Sequence, residues 1–541
     1  MFLLERKKIY LAVLSFIFII AGCLRLYRLD QVPAGMSWDE AAIGYNGFAV
    51  WTIHRDEWLH FLPISFQSFG DYKAPFAIYV NGLSTLLFGL NLWAVRFPFA
   101  VFAILCVVGI SFLTDQLLQI FVLDQRKIGF DKSSARSVVV LITAVFAVSP
   151  WHLFFSRASF ESGIALCLVV WGVNFFFLSL KARDLKRLIF VGSSALFFVL
   201  SLYTYHSAKI FTPFLLLLLF AFFKKEIFSA LKTNLIGVVF GATLLLPVVY
   251  DSIWKKGATR LSQTSILGSE TLNVLQKIQA VVTNYIAHFS PAFLVQGATT
   301  TLRHGDGHWG VLFSTEFLLV IGVVAVILSK RFLFKDDSLR FKALSRLAFF
   351  GLGWLLVGFI PAAIGFEIPH ANRALLSYPG FLIVEAAGLL LLISQQSKEK
   401  ALFFKSLLGM GILIHVLLSL SFLHDYFSIY AEDSVEAFIY GYEQAFEKVM
   451  QAEPTVDKIM FTSSYGQPYI YALFFRKTNP IIYHGGSLVK YEFPDKITVG
   501  DLMRKNALIV ASPEEIDPSL ADSLIVAPSG EVRFVIIQTQ K

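Results

Sequence analysis

The chain has 541 residues, a formal net charge of +8 and a mean hydropathy of +0.66. Hydrophobic residues make up 56% of it and charged residues only 16%, against about 25% charged residues in soluble domains. These values exclude an ordinary soluble protein and favour a polytopic α-helical membrane protein. Lys and Arg fall mostly in short segments between apolar runs, so the positive charge indicates orientation in a membrane, and no nucleic acid is expected as a partner.

Eleven apolar stretches can cross a hydrocarbon core, which needs about 20 residues. They lie near 8–25, 94–120, 136–155, 162–180, 188–204, 209–223, 234–250, 311–329, 346–364, 374–395 and 402–424. A further stretch, 77–91, is shorter and contains Asn81. Lys and Arg concentrate in alternate connecting segments only if 77–91 does not cross, because a crossing would move every later segment to the other side. The sequence therefore predicts about eleven transmembrane helices and a juxtamembrane helix at 77–91.

The same charge rule places the N-terminus inside the cell and the long loops 26–93 and 251–310 outside. The tail after about 425 is also outside and has an ordinary soluble composition. In it, "DSVEAFIYGYEQAFEKVM" predicts an amphipathic helix, and "DKIMFT", "ALIVAS", "SLIVAP" and "VRFVIIQ" predict short strands. We expect a transmembrane domain at 1–425 and a small extracytoplasmic α/β domain at 426–541, in a bacterial or archaeal cytoplasmic membrane.

The first outer loop carries charged residues close to apolar helices, in "SWDEAAIGYNG" and "SFGDYKAPFAIY". Carboxylates near a bilayer are costly unless they are solvated, paired or used. Asp39 with Glu40 could supply a catalytic base, and Lys73 could bind a phosphate. Asp71 and Tyr72 beside Lys73 are possible substrate contacts. The spacing alone fits a solvated loop with interfacial aromatic residues equally well.

Two short outer corners add further polar residues. In "SPWHLFFSRASFESG", Arg157 and Glu161 are four residues apart, so they either form a surface ion pair or leave Glu161 to join Asp39 in a site. "YTYHSAK" adds Tyr205 and His206 as possible substrate contacts. Isolated Tyr and His residues at a membrane interface are more often part of the aromatic belt than ligands.

The loop that ends in "LRHGDGHWG" offers two kinds of site. Arg303 and His304 could clamp an anionic headgroup, because Arg binds phosphate oxygens in a bidentate way. His304, Asp306 and His308 could instead chelate a divalent metal, although their spacing matches no standard zinc signature. A flexible polar loop is the third possibility. No cofactor is certain from the sequence, and a divalent metal is possible.

The last outer corner, "GFEIPHANRALLSYPG", places Arg373 at the mouth of an apolar helix. Its guanidinium either reaches lipid phosphate at the membrane surface or faces inward to bind a substrate phosphate. The acids Asp39 and Glu161 and three cations, Lys73, Arg303 and Arg373, are thus predicted on one face. The nucleotide-binding pattern GxxxxGK[ST] is absent from the sequence.

These motifs also carry a family likeness. The matching stretches, in chain order, are "WDEA", "GDYKAP", "GLNLWAVRFPFA", "SRASFES", "RHGDGHWG" and "PHANRAL". Their order over residues 1–425 resembles the GT-C superfamily of membrane glycosyltransferases, in particular the protein O-mannosyltransferase and lipid A aminoarabinose transferase-like group. The resemblance implies a GT-C-like membrane fold and a polyprenyl-monophosphate sugar as donor.

By the same resemblance, one sugar is transferred with inversion to an acceptor hydroxyl on a lipid, glycan or protein outside the membrane. Asp39 would be the base or an acceptor contact, with Glu161 at the position of a second acid that is usually Asp. Lys73 would lie near the donor phosphate. Arg303, His304 and Arg373 would complete the phosphate site.

Two other functions remain open from the residues alone. A transporter or lipid flippase would show ionisable residues at mid-membrane and paired broken helices, whereas the charges here lie mostly at span ends. A glycan polymerase or ligase that uses a diphosphate-linked lipid would share the basic outer site. The lipid product, monophosphate or diphosphate, would separate the last alternative from the monophosphate-dependent enzyme.

Overall fold

The computed structural model describes residues 7–123, 130–254, 265–333, 339–393 and 398–540. Residues 1–6, 124–129, 334–338, 394–397 and 541 lie outside the described residues, and with them four of the basic residues on which the predicted orientation rests, namely Arg6, Arg126, Lys127 and Lys335. The same holds for 255–264 of the predicted outer loop 251–310.

Helices form most of the described chain. The first ten are α1 (Lys7–Leu26), α2 (Trp38–Ile53), α3 (Pro75–Phe88), α4 (Leu92–Leu118), α5 (Lys132–Val148), α6 (Pro150–Phe154), α7 (Glu161–Lys181), α8 (Asp184–Leu202), α9 (His206–Phe228) and α10 (Leu231–Trp254). The next seven are α11 (Val274–Ala287), α12 (Pro291–Leu294), α13 (Ser314–Leu333), α14 (Leu339–Ala363), α15 (Ala371–Ala374), α16 (Tyr378–Ile393) and α17 (Lys398–Phe427).

Within the described ranges, nine helices are long and apolar enough to cross a membrane. The other two predicted spans are shorter. One is Ser314–Ser329 within α13, and the other, 136–155, is interrupted because Pro150 starts a new helix that Ser149 caps. The polytopic helical fold is thus confirmed, whereas the side of the membrane on which each loop lies stays a prediction.

The first predicted outer loop is more ordered than its sequence suggested. Ser37 caps the start of α2 and forms a capping box with Glu40, although this stretch was predicted only as a loop. An antiparallel hairpin of β1 (Phe66–Ser68) and β2 (Asp71–Lys73) follows. Helix α3 then packs closely on α2, because Gly47 and Gly82 bring the two backbones together. The predicted helix at 77–91 is therefore present as α3, which is too short to be counted among the nine spans.

The end of the chain forms a five-stranded mixed sheet with the order β4-β3-β5-β7-β6. Its strands are β3 (Lys458–Phe461), β4 (Tyr491–Glu492), β5 (Ala507–Ala511), β6 (Ser523–Val526) and β7 (Val532–Gln538). Four of the five match the predicted strand segments. The helices of this region are α18 (Ile429–Asp433), α19 (Tyr442–Ala452), α20 (Pro468–Phe475) and α21 (Pro480–His484).

The predicted amphipathic helix of this region starts later than expected. Gly441 has a left-handed φ of 108°, so α19 begins only at Tyr442. The region packs directly on α2: the hydroxyl of Tyr471 donates to the carbonyl of Met36 at 2.6 Å, and that of Tyr45 to the carbonyl of Thr478 at 2.6 Å. The boundary between two domains near 425 stays a prediction.

Candidate active site

Asp39 lies at the centre of a cluster built from three distant parts of the chain. It occupies the first turn of α2, where the Ser37 cap fixes the start of the helix. Its Oδ1 accepts a hydrogen bond from Lys73 Nζ at 2.5 Å, and its Oδ2 accepts one from Arg303 at 2.9 Å. The predicted convergence of Asp39, Lys73 and Arg303 is therefore present as direct contact.

The two cations determine the electrostatics of this carboxylate. Burial alone would raise the pKa of Asp39, but Lys73 and Arg303 outweigh it and hold that pKa well below its usual range. Burial would likewise lower the pKa of Arg303, whereas Asp39 raises it. The Asp39 side chain is still 31% exposed and that of Arg303 23%, whereas Lys73 is buried beneath them, so a ligand can reach the ionised carboxylate and the guanidinium.

Trp38 forms one wall of the cluster. The guanidinium of Arg303 lies 5.8 Å from the centre of the Trp38 ring. Gly466 packs directly against the Trp38 ring, and a Cβ added to Gly466 would lie 2.6 Å from two ring atoms. The φ of Gly466, +116°, also favours glycine. A loop of the C-terminal region thus covers the side chain next to Asp39.

Glu40, predicted beside Asp39 in the catalytic pair, is engaged elsewhere. Its Oε1 accepts from Arg96 at 2.8 Å and its Oε2 at 3.1 Å, and both side chains are almost fully buried. Arg96 also donates to the carbonyls of Leu29, Pro33 and Gly35. Glu40 therefore anchors the loop before α2, and within the described residues it makes no hydrogen bond to Lys73 or Arg303. The signal for Arg96 was in the sequence: a lone arginine within an apolar stretch requires a buried partner.

Arg157 and Glu161 do not form the ion pair that their spacing allowed. Arg157 is fully buried and donates to the backbone carbonyls of residues 24, 27, 28 and 32 at 2.6–3.1 Å. Glu161 is the first residue of α7, where a negative charge is favoured by the helix dipole. In the described part of the chain, Glu161 makes no hydrogen bond or ion pair with Asp39, Lys73 or Arg303, so its role as second acid stays a prediction.

Histidines extend the cluster on the side of Arg303. The ring of His304 lies 4.5 Å from that of His370, and the backbone N–H of His370 donates to Nε2 of His288 at 3.2 Å. Burial, with help from Arg303 and Arg373, lowers the pKa of His304 to about 3. Burial also lowers the pKa of His370 far below its usual value, and His304 and Arg373 add to this effect. Both imidazoles are therefore neutral at physiological pH, and Arg373 lies close enough to act on both.

The structure groups metal-ligating side chains differently from the sequence prediction. Asp306 Oδ1 accepts from the backbone N–H groups of His308 and Trp309, which shapes the loop. The predicted set of His304, Asp306 and His308 does not gather its ligand atoms. Instead, ligand atoms of His304, Glu367 and His370 all lie within 4.8 Å of one another. Glu367 and His370 belong to the corner motif that contains Arg373 but were not singled out from the sequence.

The remaining predicted contacts border Lys73 on its other side. His206 Nε2 lies 3.1 Å from the carbonyl of Tyr72, Tyr205 is buried just before α9, and Asp71 accepts from the N–H of Tyr72 at 2.7 Å. A small cleft there is lined by Ser65, Tyr72, Lys73, His206, Lys209 and Asp251. Of the predicted substrate contacts, Tyr72 and His206 line this cleft.

Comparison with known proteins identifies the architecture. No protein-family profile matches the sequence, and no curated protein matches it. The chain is similar to the crystal structure of ArnT from Cupriavidus metallidurans bound to undecaprenyl phosphate, with a TM-score of 0.52, 12% identity and coverage of 98% of this chain and 97% of ArnT. The apo form of ArnT gives a TM-score of 0.50 at 12% identity, with the same coverage.

A second similar structure is the apo oligosaccharyltransferase of Archaeoglobus fulgidus, with a TM-score of 0.50, 12% identity and coverage of 94% of this chain and 70% of that one. The chain spans 63% of the same enzyme in its peptide-tethered form. Both neighbours are glycosyltransferases of the GT-C superfamily. The chain therefore has the GT-C fold, as its motifs led us to expect.

Proposed function

We propose that the protein is a glycosyltransferase that moves a sugar from a polyprenyl-monophosphate donor to an acceptor hydroxyl, with inversion at the anomeric carbon. The observation that carries this proposal is the accessible Asp39 carboxylate held between Lys73 and Arg303. A displacement at an anomeric carbon needs a base for the attacking hydroxyl and cations for the departing phosphate. The similarity to ArnT bound to undecaprenyl phosphate supports a lipid phosphate as the leaving group.

In this mechanism the donor phosphate and Asp39 compete for the same cations. The incoming phosphate oxygens accept hydrogen bonds from Lys73 and Arg303. The buried Nε of Arg303, which has no hydrogen-bond partner in the described parts of the chain, is a further donor. Asp39 loses the contacts that now hold its pKa down, so its pKa rises towards the ordinary value of about 3.9. Donor binding would thus make Asp39 a stronger base only when the sugar is in place.

The chemical step then balances within the site. Asp39 takes the proton of the acceptor hydroxyl, whose oxygen attacks the anomeric carbon on the face opposite the phosphate. The bond between that carbon and the phosphate oxygen breaks, and polyprenyl phosphate leaves with its charge stabilised by Lys73 and Arg303. The donor is already activated, so no nucleotide is consumed. Arg373 and the neutral His304 would line the far side of the phosphate.

We place the site on the outer face of the membrane, with the N-terminus inside. The acceptor would be a lipid, glycan or protein at that face.

The test is turnover of purified protein with radiolabelled polyprenyl-phosphate hexoses and pentoses, followed by chromatography of the lipid product. We expect release of polyprenyl phosphate, and its loss in Asp39→Asn. Asp457→Asn, which changes an exposed carboxylate in the C-terminal region, is the matched control and should retain turnover. Absence of turnover with every monophosphate donor, or turnover only with a diphosphate-linked donor, would refute the proposal.

A further inference from the structure

Three side chains next to the Asp39 cluster have the composition of a metal site. His304 comes from the loop before α13, and Glu367 and His370 come from the corner before α15. His370 Nε2 lies 3.5 Å from Glu367 Oε2, and the ligand atoms of all three residues lie within 4.8 Å of one another. A bound ion at about 2.0–2.2 Å from each ligand atom would need only small side-chain movements to close this gap.

A second observation points to a ligand at this place. Nδ1 of His304 is buried and has no hydrogen-bond partner among the described residues. A buried polar atom without a partner is costly, so it calls for an explanation such as an ion or another ligand. The ring of His304 is also confined by Phe155 and Phe160, whose ring centres lie 6.2 and 6.0 Å away. The imidazole is thus held in place rather than free to turn towards solvent.

The donor set selects the class of metal. Two imidazoles and one carboxylate suit zinc and related first-row ions, whereas magnesium and calcium prefer oxygen ligands alone. Arg303 and Arg373 oppose a cation here, but Glu367 supplies one negative charge and Asp39 already balances Arg303. His370 Nδ1 accepts from the N–H of Arg373 at 3.4 Å. Coordination through Nε2 would put the ring proton on Nδ1, so this long contact would be given up.

We propose that His304, Glu367 and His370 bind one zinc-class divalent ion, with a fourth position open to water or an anion. Three protein ligands and an open position are the pattern of zinc sites that engage an exchangeable group. This site extends beyond the proposed function, since metal binding to these three residues does not require that the protein transfer a sugar.

The test uses the full chain in detergent after treatment with a chelator, titrated with cobalt(II) as the spectroscopic probe and with zinc in competition. We expect one cobalt per chain, with the intense visible absorption of a four-coordinate ion, and its displacement by one zinc. His370→Gln and Glu367→Gln should each abolish this absorption. Glu367→Gln is the sharper variant, because Glu367 is 60% exposed and its loss should not impair folding.

His308→Gln serves as the matched control, since His308 is exposed and lies outside the group. It should bind cobalt like the wild type. No cobalt absorption in the wild type, or equal absorption in wild type and Glu367→Gln, would overturn the proposal. Elution volume and unfolding temperature show that each variant is folded, and neither outcome depends on transferase activity.

Discussion

The neighbouring carboxylates Asp39 and Glu40 should behave in opposite ways when each is replaced by its amide. Both oxygens of Glu40 accept hydrogen bonds from the buried guanidinium of Arg96 at 2.8 and 3.1 Å, and the backbone N–H groups of Ser37 and Ser159 add two more at 3.1 and 3.2 Å. Glu40→Gln leaves the charge of Arg96 buried without a counter-ion. Removing one partner of a buried ion pair costs about 3–5 kcal/mol, so this variant should be strongly destabilised.

Asp39→Asn should destabilise the protein less than Glu40→Gln. The Asp39 and Arg303 side chains are 31% and 23% exposed, so solvent screens that pair, whereas the Lys73 side chain is only 6% exposed and loses its counter-ion. The amide keeps the shape of the side chain and can still accept one hydrogen bond. Turnover, in contrast, should fall by about 10²–10⁴-fold, the usual contribution of a general base.

The two variants are compared by thermal unfolding in detergent, monitored by tryptophan fluorescence, and by release of polyprenyl phosphate. Glu40→Gln should unfold at a clearly lower temperature than Asp39→Asn, and Asp39→Asn should remain folded but lose turnover. Asp457→Asn is the control for both measurements. Unfolding of Glu40→Gln at the wild-type temperature, or retained turnover in Asp39→Asn, would contradict these assignments.

Three further results are expected. Gly466→Ala should displace Trp38, because the new Cβ would lie 2.6 Å from the ring; turnover should fall at least about tenfold, and normal turnover would contradict the assigned wall. Burial and then Asp56 raise the pKa of Glu57 to about 8, above an unfolded value of about 4.3. The protonated Glu57 carboxyl contributes fully to stability below about pH 4, and this contribution is lost as the pH rises through 8. The free energy of unfolding of the wild type should therefore fall by about 2 kcal/mol between pH 6 and pH 8. Glu57→Gln should lack this loss in urea unfolding, and an equal loss would exclude Glu57 as its source. In a variant without native cysteines, Ser519→Cys should react with a membrane-impermeant maleimide in intact cells and Lys186→Cys only after lysis; the reverse pattern would invert the predicted orientation.

The spans and strands were predictable from the sequence because each has a strong local signal. Apolar runs near 20 residues and period-two alternation need no knowledge of the partner element. The break at Ser149–Pro150 and the late start of α19 at Gly441 were missed, although both residues were visible as helix punctuation. In these strongly hydrophobic or amphipathic stretches, the continuing pattern of apolar residues predicted an uninterrupted helix despite the breaking residues.

The candidate site was predictable in its members but not in their pairings. Asp39, Lys73 and Arg303 were singled out by their rarity beside apolar helices, and they are in contact. Adjacent residues on a helix point in different directions, about 100° apart, so Asp39 and Glu40 cannot share one environment. The sequence does not show which of the two faces the core. That depends on Arg96, which lies far along the chain and enters only through tertiary packing.

The contrast between the two carboxylates explains how a charge cluster can be both exposed and well positioned. The loop between α1 and α2 is held by two buried arginines, Arg96 and Arg157, which bind its backbone carbonyls. Glu40 compensates the charge of Arg96 next to that anchor, so the first turn of α2 is fixed from the inside. Asp39, one residue earlier, can then hold Lys73 and Arg303 from a partly exposed position, without fixing the start of the helix. A carboxylate that does not fix the helix can exchange its partners for a phosphate, which is what the proposed chemistry requires.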